Sequence, residues 1–277
     1  MKCKTIDLAI TLILTYTFFF QAFFTSAYMK YLIFAIALGL IVWRNRSLRI
    51  NGYNILWLVL ISYMIIRSKS IEDVPITLAI IVILGILLSS NDSWGKHYFK
   101  MLTLCTRIHS IITILCCTIP YLHETIIVPL FFQAFAGRAE TTYRAGFTNH
   151  YSTNGMYLGI GFVCAAINVM ICSRSEKRKA TIWAIINLVA LILTTKRTHL
   201  AAALLVTLIV LLIYSRYQGK LYSGIMKAFF LIVAGVSLFF IAAVFIPGLG
   251  VIVERFVELG EDTTLHGRIF FYEVAYE

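Results

Sequence analysis

The sequence predicts an all-α protein, a polytopic helical membrane protein with about nine transmembrane helices. Two observations carry that prediction. Of 277 residues, 60% are hydrophobic and 13% charged, whereas about 25% are charged in a soluble domain. Apolar runs recur from end to end, and roughly 20 residues span a bilayer.

The first run, "MKCKTIDLAITLILTYTFFFQAFFTSA", has a basic start and small residues near Ser26 and Ala27, as a signal peptide does. A second run follows almost at once, so the segment reads as an uncleaved first helix. Nine spans follow from the apolar pattern: about 6–25, 28–43, 53–67, 74–90, 98–119, 149–172, 180–195, 199–214 and 224–246. Residues 1–247 thus form a transmembrane helical domain, and 248–277 open an extracytoplasmic loop.

Basic residues set the orientation. With the N-terminus inside, the cytoplasmic segments carry Lys2 and Lys4, Arg44, Arg46 and Arg49, Lys96 and Lys100, Arg174 with Lys177 to Lys179, and Arg216, Lys220 and Lys227. Those are 14 of the 24 Lys and Arg, as the positive-inside rule requires for alternating crossings. The same dispersal accounts for most of the +11 net charge. It argues against a nucleic-acid partner, which would need one basic surface.

Against this pattern stands "LTTKRTHLAA", Leu193 to Ala202. A charge at mid-bilayer costs about 2.5–3.5 kcal/mol on insertion scales. Lys196, Arg197 and His199 therefore fall in a tight turn on the outer side. The positive-inside rule disfavours basic residues there, and Gly, Asn or Ser would close a turn more cheaply. Snorkelling into headgroup water is the bland account; a binding role for the charges is the sharper one.

Two other outer segments add polar residues. "PYLHETIIVPLFFQAFAGRAETTYRAGFTNHYSTNG" places an interfacial or re-entrant piece between Pro120 and Pro129, too short and broken to span. Arg138, Arg144, Gly146, Asn149, His150 and Asn154 then lead into span six, with Asn and Gly as the expected helix caps. After span nine, Ile252, Val253, Phe256 and Val257 share one helical face opposite Glu254, Arg255, Glu258 and Glu261. That alternation predicts a helix lying on the membrane. A cap at "EDTT" and a further helix starting near Arg268 come next.

Three stretches together resemble the O-antigen ligase and polysaccharide polymerase family of bacterial envelope enzymes. "YRAGFTNHYSTNGMYLGIG" is similar to the family's Arg, Gly-Phe, Asn-rich entry to a membrane helix, with His150 where many members carry Pro. "TTKRTHLAAALL" is similar to its Ser/Thr-Arg-Thr/Gly turn. "RFVELGEDTTLHGRIFFYEVA" is similar to the start of its large external loop, where a family Arg falls on Arg268. The resemblance covers about Arg144 to the end.

The resemblance implies glycosyl transfer outside the cytoplasmic (inner) membrane of a bacterium. The donor would be a glycan on a polyprenyl pyrophosphate, and the acceptor a hydroxyl of a lipid-linked or other glycan. It also implies catalysis without metal or other cofactor. The six His and thirteen Asp and Glu show no ligand-type spacing. Displacing pyrophosphate develops negative charge on the leaving group, which fixed guanidinium groups stabilise bidentately. Arg197 and Arg268 are the first candidates for the donor, Arg144 the third; Lys196, Asn149 and His199 join the substrate-binding set.

The acceptor needs a general base. In the ligases that role belongs to a His far along the external loop, and the chain reads as truncated before it. His266, His199 and Glu273 are the stand-ins. Cys3, Cys105, Cys116, Cys117, Cys164 and Cys172 form no CxxC pair and read as small buried hydrophobes. Arg107 and His109 interrupt span five, Arg107 being expected to snorkel near the inner end. Two alternatives are a transporter or flippase of lipid-linked oligosaccharides and an inactive, truncated polymerase.

The topology has a direct test. In a background lacking the six native cysteines, a cysteine at Ser175 should be labelled only from the cytoplasm and one at Thr142 only from outside. Labelling of both from one side would sink the nine-span scheme.

Overall fold

In the computed structural model the described residues are 2–20, 92–130, 142–148 and 150–226, with single positions within 32–66 and 233–237. Predicted spans two, three, four and nine lie outside them apart from a few positions, as does the surface helix at 252–261 with the segment after it. The elements are helical: α1 (Lys2–Thr15) with a π-helical continuation (Tyr16–Phe20), α2 (Asp92–Thr118), α3 (Tyr151–Ile171), α4 (Lys177–Leu193) and α5 (Arg197–Tyr217). Among the described residues three helices, Trp94–Thr118, Tyr151–Ile171 and Thr198–Tyr217, are long and apolar enough to cross a membrane. The chain divides into two compact units, Met1–Thr194 and Thr195–Glu277.

In the first unit α1 buries Ile6, Ala9, Ile10, Ile13 and Leu14, the spacing of one helical face. That face packs on Trp94, Tyr98, Met101, Leu102 and Cys105 of α2. Thr11 meets His97 at 3.1 Å and the Phe18 carbonyl meets His109 at 2.7 Å, so α1 and α2 run parallel. A π-helical turn widens the backbone and loosens the i−4 ladder. Here its carbonyls serve the neighbours: Thr17 O accepts from the Tyr157 hydroxyl at 3.0 Å, and Phe18 O from His109.

α2 is amphipathic in the inverted sense. Thr103, Thr106, His109, Ser110 and Thr113 are buried, while Leu104, Ile108, Ile111 and Leu115 are exposed. Such an arrangement suits a lipid solvent, where apolar side chains face outward and polar ones must pair inside. Each inward hydroxyl at 103, 106 and 110 also returns a hydrogen bond to its own helix, to Phe99, Leu102 and Thr106 carbonyls at 2.7–3.0 Å.

α3 brings small residues to the contact: Gly155, Gly159, Gly161, Ala165 and Ala166 are all buried, which lets helix backbones approach closely. At Gly161 the approach is tightest. A Cβ there would lie 2.6 Å from Asn187 Oδ1 of α4 and 2.7 Å from Thr106 Cβ of α2. Asn187 Oδ1 accepts from Ser110 at 2.8 Å, and its Nδ2 donates to Trp183 O at 2.7 Å. Thr113 pairs with Asn154 as Thr106 neighbours Gly161, so α3 is antiparallel to α2. α4 follows after a short turn held by Glu176 N–H to Ser173 O at 3.1 Å and runs parallel to α2.

Arg107 lies midway along Trp94–Thr118. Its guanidinium sits 4.8 Å over the Trp183 ring of α4, a cation–π contact that partly replaces lost hydration. The helices also outrun the apolar windows. α2 begins at Asp92 and α4 at Lys177, because a hydrogen-bonded helix continues through polar turns such as "DSWGKH" and "KRK". Cys105, Cys116 and Cys164 are free and buried, as expected of small hydrophobes.

Candidate functional site

The polar end of the bundle is built where α2 finishes and α3 starts. Thr142–Ala145 forms a 3-10 turn, and Gly146 follows at φ +55°. Only glycine adopts that conformation freely, and a Cβ there would also press on Thr113 Oγ1 at 3.0 Å. Thr148 closes the turn, its hydroxyl contacting the carbonyls of Ala145 and His150, both at 2.8 Å. His150 then caps α3: its Nδ1 accepts from Ser152 N–H at 3.1 Å. An Asn or Gly cap was expected, yet an imidazole lone pair satisfies the same orphan donor.

Asn154, fully buried one turn into α3, ties this end together. Its Nδ2 donates to Thr113 Oγ1 at 2.8 Å and to the Arg144 carbonyl at 2.9 Å. The backbone of Arg144 is thereby pinned to the bundle. Its half-buried side chain carries the guanidinium over the Tyr143 ring at 5.4 Å and beside Cys117 at the end of α2. The neighbouring segment, Pro120–Leu122, His123–Ile127 and Val128–Leu130, is a run of short helical turns, in keeping with a piece too broken to span. Burial pushes the His123 imidazole below its usual range, and the Glu124 carboxylate opposes that shift.

The second predicted cluster opens α5. Thr194 ends α4, its hydroxyl donating to Leu191 O at 2.7 Å. Thr195 has φ 57°, and among the described residues it is the one non-glycine with positive φ. A β-branched residue in the left-handed region costs about 1–2 kcal/mol. Lys196 then stands at the N-cap of α5 with no side-chain cap, and its carbonyl accepts from Leu200 N–H at 3.1 Å. His199 is half-buried and feels the Lys196 charge.

The predicted residues are therefore distributed as follows. Arg144 belongs to the first unit, where its carbonyl accepts from Asn154, itself bonded to Thr113, a linkage that sequence alone did not assign. Lys196 and His199 belong to the second unit and lie together at the start of α5. Arg197 is the first residue of that helix. Asn149, Arg268, His266 and Glu273 lie outside the described residues. Among the described residues no three His, Cys, Asp or Glu side chains gather as a metal site would require. His109 stood out in the sequence as an interruption of span five, but the interior Ser110 and Asn187 carried little signal, where single polar residues within apolar runs resemble noise. Comparison with protein-family models, curated proteins and solved structures gave no match.

The left-handed threonine yields a stability prediction. Thr195→Gly should raise resistance to unfolding in detergent by about 1 kcal/mol, because glycine takes that φ without the Cβ clash. A loss of stability in that titration would show that the turn is not strained.

Proposed function

We propose that this chain is a membrane glycosyltransferase of the O-antigen ligase or polysaccharide polymerase type. It would pass a glycan from a polyprenyl pyrophosphate to a sugar hydroxyl outside a bacterial inner membrane. The reading rests on the sequence resemblance and on one structural observation, the left-handed Thr195 immediately before Lys196 and Arg197. Strain of this kind is retained where it serves a site. Cheaper turn residues would close the α4–α5 connection without it, whereas Thr-Lys-Arg-Thr puts two cations at a helix start. A helix start favours anions through its exposed N–H groups and dipole.

The nine-crossing scheme fits the helix directions. α1, α2 and α4 run parallel and α3 opposite, as spans one, five, seven and six must. Thr142 and Ser175 then fall at opposite ends of α3. Leu193 and Thr194 share a bundle end with Arg144 and His150, since α3 and α4 form an antiparallel hairpin. In this reading Arg197, Arg268 and Arg144 are the candidate donor-binding cations, and Lys196, Asn149 and His199 complete the proposed substrate-binding set.

A second reading, a transporter or flippase of lipid-linked oligosaccharides, draws on a different observation. The bundle interior carries a polar stripe, from Thr103 to Thr113 on α2 with Asn154 and Asn187 facing it, and transporters line their paths with such groups.

Arginine-to-lysine exchange separates the two readings. With the protein in liposomes and a lipid-linked donor, Arg144→Lys, Arg197→Lys and Arg268→Lys should each lower glycan transfer by about 10²-fold or more, with insertion intact. Lysine keeps the charge and loses the bidentate fork. Undiminished transfer in all three would refute the donor site, and movement of labelled lipid-linked sugar without new glycosidic bonds would favour the transporter.

A further inference from the structure

His109 is an interior group that the proposed transfer chemistry does not use. Its ring is 1% exposed, and Nε2 lies 2.7 Å from the Phe18 carbonyl. A carbonyl only accepts, so Nε2 carries the hydrogen, and Nδ1 of the neutral ring is a lone pair. That lone pair has no partner within ordinary hydrogen-bond distance, and Asn154 is its neighbour across the interface: it bonds Thr113, one turn along α2 from His109, and lies one turn from Tyr157, which meets the ring.

Partner chemistry also fixes the Asn154 amide. The Arg144 carbonyl can only accept, so the group 2.9 Å from it is Nδ2. Oδ1 is then the remaining atom, and it too is buried without a partner. Two buried acceptors on neighbouring turns of α2 and α3 are thus left without a donor, which is costly unless a hydrogen lies between them. We propose that the His109 Nδ1 and Asn154 Oδ1 pair binds a donor hydrogen, and is a proton- or water-binding site inside the helix bundle.

The surroundings suit both sources of that hydrogen. Phe19 stacks on the imidazole at 5.1 Å and 22°, and Phe18, Tyr157 and Phe147 meet it at 5.4–6.1 Å in steeper orientations. The Phe19 ring face and the Phe18 carbonyl can both engage a protonated ring. Tyr157 is the titratable side chain facing the ring from α3, and its hydroxyl is engaged with Thr17 O. Among the described residues of the α1 continuation and the turn before α3, the ring meets Phe18, Phe19 and Phe147. On α2 itself, Cys105 is one turn away, and Arg107 is turned to Trp183. With no carboxylate among the described residues in contact, a bridging water occupies the pair at neutral pH and a proton on Nδ1 replaces it on acidification. Either state is transmitted by Asn154, whose Nδ2 holds the Arg144 carbonyl. The proposal does not depend on the transferase reading.

The test is nitrogen NMR of the full chain in lipid nanodiscs with ¹⁵N-histidine, His109 being assigned by loss of its signals in His109→Gln. Nε2 should be protonated throughout. Nδ1 should resonate as a hydrogen-bonded acceptor with exchange contact to water at neutral pH, and as a protonated nitrogen once acidified; the two signatures separate water from proton. Asn154→Leu should shift Nδ1 to the position of a bare lone pair. If that variant does not fold, the wild-type spectrum alone decides. A bare Nδ1 across the titration, or the opposite tautomer with the hydrogen on Nδ1 alone, would overturn the proposal.

Discussion

The close approach of three helices at Gly161 is the constraint from which the rest of the described bundle follows. A Cβ at that position would strike Asn187 and Thr106, so α2, α3 and α4 meet there only because it is missing. The approach lets Ser110 hydrogen-bond Asn187 across the interface. It also sets the register of α3 on α2. Gly161 and Asn154 are about two turns apart on α3, as Thr106 and Thr113 are on α2. Fixing one pair in an antiparallel register delivers the other, and Asn154 then reaches the Arg144 carbonyl. One glycine in the helix interior thus bears on a cation near the helix end.

This bundle inverts the usual division of labour. Between helices that face lipid there is little hydrophobic drive to associate, since lipid tails are as apolar as leucine. Packing of small residues and internal hydrogen bonds carry the specificity instead. Individual bonds contribute about 1 kcal/mol or less, but a polar group left alone in an apolar interior costs more. The stripe Thr103, Thr106, Ser110 and Thr113 therefore selects a partner face, and the π-helical turn at Tyr16–Phe20 supplies carbonyls to side chains that would otherwise lack acceptors.

Sequence reading recovered what hydropathy can carry. The runs near 98–119, 149–172, 180–195 and 199–214 are helices α2 to α5, with ends displaced by up to a turn and a half where polar residues continue the helix. It also flagged Arg144 and the Thr-Lys-Arg turn, because charge beside an apolar run stands out. It did not find the Asn154–Thr113 or Asn187–Ser110 pairs, because each depends on which faces of distant segments meet. His150 as a cap and Thr195 in a left-handed conformation were equally illegible, since both break residue preferences. The cation–π contact of Arg107 was likewise out of reach, because it depends on Trp183 of a neighbouring helix.

The two basic positions gain meaning from this frame. Arg144 is held through its backbone, leaving its guanidinium on the Tyr143 ring, and Lys196 and Arg197 open a helix after a strained turn. Under the proposed transferase reading, such cations would stabilise a pyrophosphate leaving group. All of this presumes that interhelical polar pairing fixes the bundle. A double-mutant cycle on Ser110→Ala and Asn187→Ala, followed by unfolding in mixed micelles, measures that pairing most directly. The account predicts a coupling of about 0.6–1.7 kcal/mol; strictly additive single effects would contradict it.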